Sequence, residues 1–262
     1  MSRRPGVPAT VWWLTAGLAD VPEGDGWLAP AEVEHQRGLV VAARRRDWRL
    51  RRWAAKQALL RVPGGPDEAT APSRLEVANR ADGSPLARLD GAPLPVAVSL
   101  SDRAGLALCA LAPAQPAFGA WNGAGSAPFQ APERGGGGDI GIGIGCDVEL
   151  VEPRSDAFVA DWLTDAEQRV VALAGPGGRD LAANLVWSAK ESALKVLREG
   201  LRRPTRSVEV TVDPGAPPVP GTWAPLVVDR AEGGRLEGWW RPLGAHVLTV
   251  VTAGATAPPA AL

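Results

Sequence analysis

One stretch of this chain occurs twice. WAAKQALLR at 53–61 returns as WSAKESALK at 187–195. Trp53 answers to Trp187, Ala55 to Ala189, Lys56 to Lys190 and Leu60 to Leu194, a spacing of 134 residues from Trp53 to Trp187. Flanking segments follow at a similar spacing. Leu28-Ala29-Pro30-Ala31-Glu32 resembles Leu163-Thr164-Asp165-Ala166-Glu167, and Arg46-Asp47 resembles Arg179-Asp180. Leu75-Glu76-Val77 resembles Val208-Glu209-Val210, and GLALCAL at 105–111 has a counterpart in HVLTVVTA at 246–253. Features that recur in one order at one spacing indicate a repeated unit. The fold must then give each copy similar elements.

Each copy reads alike. A capped helix starts near Pro30-Ala31-Glu32 in one, and near Thr164 in the other, where Thr164 and Glu167 make a capping box. A longer helix follows over 47–61 and 181–198, with Leu181, Leu185, Ala189, Ala193 and Val196-Leu197 at helical spacing. Strands are expected at 74–78, 94–100 and 105–112, and again at 207–212, 224–229, 235–240 and 246–252. The fold class is therefore α+β, a pseudo-twofold duplication of an α/β unit with helices on mainly antiparallel sheets. The first half runs over 1–112 and the second over 140–254. Between them 113–139 is rich in Gly, Pro, Ala and Ser and reads as a surface loop, tacked down by Trp121 and Phe129. Residues 255–262 read as a frayed tail.

Composition excludes several classes. The 28 basic and 29 acidic residues leave a formal charge of −1, which argues against a nucleic-acid binder driven by bulk charge. No apolar run reaches the roughly 18–20 residues that span a bilayer. The N-terminal apolar patch is broken by Thr15 and Gly17 and lacks a cleavage site, so no signal peptide is expected and the cytoplasm is the default compartment. Cys109 and Cys146 are too few for a disulfide framework or a zinc site and read as small buried residues. Only three of the 28 basic residues are lysines: Lys56, Lys190 and Lys195. All three fall inside the repeated segment. In a chain that otherwise uses arginine, a retained lysine suggests a need for a compact ammonium.

The chemistry is concentrated in the second half. In IGIGIGCDVELVEPR at 140–154, strand alternation puts Asp147 and Glu149 on one face and Cys146, Val148 and Leu150 on the other. Such a pair either holds a cation, for which oxygen-only ligands favour Mg²⁺, or is a polar strand face bonded to nearby arginines. On the helix, Trp187, Glu191 and Lys195 form one stripe at i, i+4, i+8. An ordinary Glu–Lys helix pair would explain it, but the first copy has Gln57 in place of Glu191. A pair kept for helix stability had no reason to differ so. Glu191 with Asp147 and Glu149 would make a three-carboxylate site, and Lys195 would reach a phosphate beside it.

GCDVE followed about 40 residues later by WSAKESALK resembles the paired signature of the 4′-phosphopantetheinyl transferases. More narrowly it resembles the surfactin-synthetase-activating type, a single chain of two similar halves. Ala81-Asp82-Gly83-Ser84-Pro85 stands where that family has Gly-Lys-Pro. Val98-Ser99-Leu100-Ser101-Asp102-Arg103 stands where it has a Ser-His segment, and Arg44-Arg45-Arg46-Asp47-Trp48 opens the helix as in relatives. The resemblance implies transfer of the phosphopantetheine arm of coenzyme A to a serine of an apo acyl or peptidyl carrier protein, releasing 3′,5′-ADP. That is a holo-acyl-carrier-protein synthase activity, of the kind that serves polyketide or nonribosomal peptide synthesis. It implies Asp147, Glu149 and Glu191 as Mg²⁺ ligands, with Glu191 also as the base for the carrier serine and Lys195 beside the α-phosphate. Coenzyme A would be a co-substrate contacted by Arg46, Arg52, Lys56, Arg80, Gly83, Ser101, Asp102, Arg103, Lys190 and Lys195, although a solvated helix face explains the run Arg44–Arg52 equally well. The expected site is the cleft between the halves of a monomer, with neither nucleic acid nor membrane as partner.

Two positions depart from the family pattern. Ser84 replaces its lysine and Asp102 its histidine, and an aspartate there repels phosphate. Either Arg103 or an N-terminal arginine substitutes, or Asp102 turns away to cap a turn or bond an arginine. The competing reading is a catalytically impaired module of the same fold that binds carrier proteins or coenzyme A. The retained Asp147, Glu149, Glu191 and Lys195 count against it.

Overall fold

The computed structural model describes residues 10–113, 143–199, 202–215 and 218–262. The loop expected over 113–139, with Trp121 and Phe129, lies outside these apart from Pro113. Mixed α and β content is observed, in three sheets. The first half starts with β1 (Trp12–Gly17), α1 (Pro30–Arg37) and α2 (Ala42–Arg61), followed by β2 (Leu75–Asn79), β3 (Pro85–Leu89), β4 (Ala92–Pro93), β5 (Val96–Arg103) and β6 (Leu106–Pro113). The second has β7 (Ile144–Leu150), α3 (Asp156–Trp162), α4 (Asp165–Leu173) and α5 (Gly175–Val196), then β8 (Val208–Thr211), β9 (Ala224–Arg230), β10 (Arg235–Leu243) and β11 (His246–Thr252).

Both long helices begin earlier than periodicity suggests. Before Asp47 lies an Ala/Arg run of strong helix formers, and α5 starts in Gly-Pro-Gly-Gly because proline is accepted in a first turn. Thr164 caps α4 as expected. Its Oγ1 accepts from the Glu167 N–H, and Glu167 Oε2 accepts from the Thr164 N–H at 2.7 Å.

In the second half one sheet runs β7-β11-β10-β9-β8. The first half has the order β1-β6-β5, then a separate sheet β2-β3-β4. No ladder joins β3 to β5 among the described residues, whereas β9 and β10 pair from Arg235–Asp229 to Trp240–Ala224. The expectation of a frayed tail is corrected. β12 (Ala260–Ala261) pairs in parallel with Trp12 and Trp13, and Leu262 packs on the first core. Backbone hydrogen bonds hold it, which side-chain patterning does not reveal.

Strand alternation sorts the strand side chains into three cores, and Trp27, Leu28 and Trp48 form a fourth, smaller cluster among the described residues. Ala107, Cys109 and Leu111 of β6 pack with Ala54, Ala55 and Leu59 of α2. Val247 and Val251 of β11 pack with Leu185, Ala189 and Ala193 of α5. Leu108 and Ala110, on the other face of β6, meet Cys146, Val148, Leu248 and Val250. This third core joins the two halves sheet to sheet. Cys109 and Cys146 are free, buried thiols, and burial pushes Cys146 up to about 11.

Two buried ion pairs brace the halves in matching ways. Lys56 bonds Glu32 at 2.5 Å, and Glu32 also accepts from the N–H groups of Ala29 and Val77. Lys190 bonds Glu167 at 2.7 Å, and Glu167 also accepts from the N–H groups of Thr164 and Val210. Each pair ties a long helix to a short helix and a strand.

Candidate active site

β7 and α5 form one wall of the site. Gly145 makes their contact possible, since a Cβ there would lie 1.9 Å from the Ser192 carbonyl oxygen of α5. With the helix this close, Asp147 and Glu149 emerge on the face that meets it. Lys195 Nζ donates to Asp147 Oδ1 at 2.9 Å and to the Cys146 carbonyl at 2.8 Å. Burial is the largest influence and works against the Lys195 ammonium, but the charge and hydrogen bond of Asp147, with Cys146 and Glu191, together outweigh it and raise the lysine's pKa above its usual value. Trp187 Nε1 donates to Glu149 Oε1 at 3.1 Å, and Arg154 to Glu149 Oε2 at 3.0 Å. Arg103, from β5 of the first half, reaches Glu149 at 3.4 Å and also pairs with Glu152.

Glu191 lies between Trp187 and Lys195 on the helix stripe and makes no hydrogen bond or ion pair with a described residue. Burial raises its carboxyl pKa, as do the neighbouring charges of Asp147 and Glu149, against Lys195. Glu149 is raised by burial and by Asp147, against Arg154 and Arg103. The charges of the three carboxylates act on one another. Among the described residues, however, no three His, Cys, Asp or Glu side chains are gathered to hold a metal ion. Lys195 holds Asp147, while Arg103 and Arg154 hold Glu149. One atom is left over: Asp147 Oδ2 is buried with no hydrogen-bond partner among the described residues. A bare carboxylate oxygen in a cluster of like charge fits a hard divalent cation, and the donor set is all oxygen.

Beside this wall lies a cavity of about 700 Å³ between the halves, within the size range of small-molecule sites. It opens where the first sheet is split. The β2–β3 turn and the start of β5 line it on one side, α2 on another, and Gly143, Ile144 and the end of α5 on the third. Arg51, Arg52, Arg80, Lys195, Arg198 and Arg202 face it, against only Asp82 and Glu199. Such a lining attracts an anion carrying several charges. Arg52 stacks over Trp48 and donates to Asn79; burial pushes its guanidinium down to about 10, still charged at neutral pH. Gly83, at φ 89°, makes the turn that brings Arg80 and Ser84 to the rim.

Several sequence assignments are corrected. Lys56 and Lys190 do not face the cavity. Both ammonium groups are fully buried against glutamates and backbone carbonyls, which satisfies them inside the protein. Arg46 turns to solvent and pairs with its neighbour Asp47. Ser101 donates to Asp147 Oδ1 at 2.7 Å, and Arg103 pairs with carboxylates, so neither points at the nucleotide side. Asp102 pairs with Arg51, which removes its repulsion for phosphate. The sequence reading missed Arg51, Arg154, Arg198 and Arg202. Among 25 arginines their positions carried no signal, except that Arg198 and Arg202 directly follow the repeated segment.

Residues 143–237 match the family model of the 4′-phosphopantetheinyl transferase superfamily. The match starts at Gly143, just before β7, and takes in Asp147, Glu149, Glu191 and Lys195. It supports phosphopantetheinyl transfer as the general chemistry, with coenzyme A and a carrier protein as the general partners. No match to a curated protein was found. No helix among the described residues is long and apolar enough to cross a membrane.

Proposed function

We propose that this protein transfers the 4′-phosphopantetheine group of coenzyme A to a serine of an apo acyl or peptidyl carrier protein. The observation that carries this reading is the junction at Lys195. The Lys195 ammonium bonds Asp147, and the same residue is part of the lining of the cation-rich cavity. An anion seated in that cavity therefore lies next to the three-carboxylate group.

In this reading the nucleotide's phosphates occupy the cavity, against Arg51, Arg52, Arg80, Arg198 and Arg202. Asp147, Glu149 and Glu191 would hold Mg²⁺, which supplies charge stabilisation to the pyrophosphate. Lys195 neutralises the phosphate that departs with the nucleotide. The carrier serine oxygen bonds to the phosphorus bearing pantetheine, the bridging P–O bond breaks, and adenosine 3′,5′-bisphosphate leaves. Glu191, which has no hydrogen-bond or ion-pair partner among the described residues, takes the serine proton.

The recurrence of strand order and of the buried Lys–Glu pairs supports the finer reading as well. The chain is one unit duplicated, as in the surfactin-synthetase-activating type, acting as a cytoplasmic monomer on carriers of polyketide or peptide synthesis. The test is direct. Incubation with coenzyme A, Mg²⁺ and an apo carrier protein is expected to add one phosphopantetheine mass to the carrier and to release the bisphosphate. An unmodified carrier, with coenzyme A bound, would leave a binding module instead.

A further inference from the structure

Besides Arg103, two serines of the first half reach β7 at the site. Ser99 and Ser101 are two apart on β5 and so share a face. Ser99 Oγ accepts from the Cys146 N–H at 2.9 Å. Ser101 Oγ donates to Asp147 Oδ1 at 2.7 Å. Both contacts are buried, and both run from the first half to β7 of the second. Among the described residues no strand ladder joins β5 to β7, and these two hydroxyls bond across the gap.

The contact at Ser101 has a directional consequence. Asp147 Oδ1 receives two donors, the Ser101 hydroxyl and the Lys195 ammonium. Oδ2 receives none and is buried. Leaving a buried carboxylate oxygen bare is unfavourable. Here both donors come to the same oxygen, which fixes the carboxylate's rotation and leaves the other oxygen for something the protein does not supply. Lys195 alone would not fix it, because a flexible ammonium with three donors can follow either oxygen. A serine hydroxyl on a rigid strand cannot.

We propose that Ser101 is a positioning residue. From the first half it orients the Asp147 carboxylate so that Oδ2 is presented to a divalent cation bound with the substrate. This rests on the phosphopantetheinyl transfer reading. It assigns Ser101 to the cation side of the site and makes the first half a participant in cation binding.

The experiment uses the full chain with coenzyme A, and Mn²⁺ as the spectroscopic probe. Residues that orient a metal ligand typically contribute about 10–100-fold to metal affinity. Ser101→Ala is expected to weaken Mn²⁺ binding about 10-fold and to raise the Mg²⁺ concentration for half-maximal transfer by a similar factor, while turnover at saturating Mg²⁺ changes about 2-fold or less. Ser101→Thr keeps the hydroxyl and is expected to restore both. Should alanine prove unstable, Ser101→Cys replaces the hydroxyl with a weaker donor and is expected to bind Mn²⁺ more weakly than the serine protein. Melting temperatures separate a packing defect from a binding one. If Ser101→Ala binds Mn²⁺ as the parent does, or melts lower without any change in metal dependence, the serine is only structural and the proposal is overturned. The transfer reading survives that result. It fails separately if the parent protein, with Mg²⁺ present, leaves the carrier unmodified.

Discussion

Lys56 and Lys190 occupy matching places in the two long helices. Each is fully buried, and each holds a glutamate that also accepts from two backbone N–H groups. At the next residue the halves part. Gln57 in the first copy accepts from Arg61 at 3.2 Å, whereas Glu191 in the second has no hydrogen-bond or ion-pair partner among the described residues and sits near Asp147 and Glu149. The sheets part as well, since the strand order that continues unbroken from β10 to β9 is interrupted between β5 and β3. Residues of β5 and of the β2–β3 turn, on either side of this interruption, line the cavity. The first half thus makes room for an anion, and the second concentrates the negative charge beside it. Two lysines of one nine-residue motif differ in surroundings: Lys190 is sealed against Glu167, and Lys195 is partly exposed beside Asp147.

The largest expected effect tests the half of this comparison that is shared. Removing one partner of a buried ion pair leaves an uncompensated charge, at a cost of about 3–5 kcal/mol. Lys56→Met and Lys190→Met should each lose that much in urea unfolding, to a similar extent. A variant that unfolds normally but no longer binds coenzyme A would return that lysine to the ligand and break the symmetry.

The next effect tests the half that differs. Glu191→Gln makes the second copy resemble the first with almost no change in volume. Loss of a ligand and base should lower transfer about 100-fold or more, with melting unchanged. The reciprocal Gln57→Glu adds a charge beside Arg61 and should change neither activity nor melting appreciably. A Glu191→Gln protein with near-parent turnover would remove the glutamate from the mechanism.

Much of this was legible in the sequence because it is short-range. The helix pattern, the Thr164 cap and the strand alternation at Asp147 and Glu149 depend only on near neighbours. The roles of Lys56 and Lys190 were not, because a lysine in a motif looks the same whether its ammonium meets a phosphate or a buried glutamate 23 or 24 positions away. The bond from Ser101 to Asp147 was hidden for the same reason, since its partner lies 46 residues on. The split between β3 and β5 left no mark, since both strands have ordinary compositions. Arg198 and Arg202 were hidden by the abundance of arginine, and only the shape of the cavity picks them out.

Lys195→Arg follows in size. Asp147 Oδ1 and the Cys146 carbonyl both receive the ammonium within 3 Å. A guanidinium is planar and longer, and it grips carboxylates in a fork. It would draw both Asp147 oxygens inward or push its head into the cavity. Turnover at saturating coenzyme A should drop about 10-fold, the scale on which misplaced groups near a reaction act. Unchanged turnover would mean that any cation suffices there, and that the chain's scarcity of lysine has no bearing on the site.

The smallest effect compares two arginines on one helix. Arg52 lines the cavity with its side chain 7 % exposed, stacked on Trp48, while Arg46 is 57 % exposed and bonds only its neighbour Asp47. An exposed pair between adjacent residues contributes roughly 0–1 kcal/mol, and less as salt rises. Arg46→Ala should therefore leave coenzyme A affinity within about 2-fold and melting nearly unchanged, because nothing in the cavity loses a partner. Arg52→Ala removes a preorganised cation from an anion site, where a charged hydrogen bond contributes about 1.5–3 kcal/mol, and affinity should weaken about 10-fold or more. Titration of coenzyme A into both variants at two salt concentrations decides the point. If Arg46 matters as much as Arg52, the ligand extends along the outer face of α2, beyond the cavity, and the division of labour between the halves must be redrawn to include that helix surface.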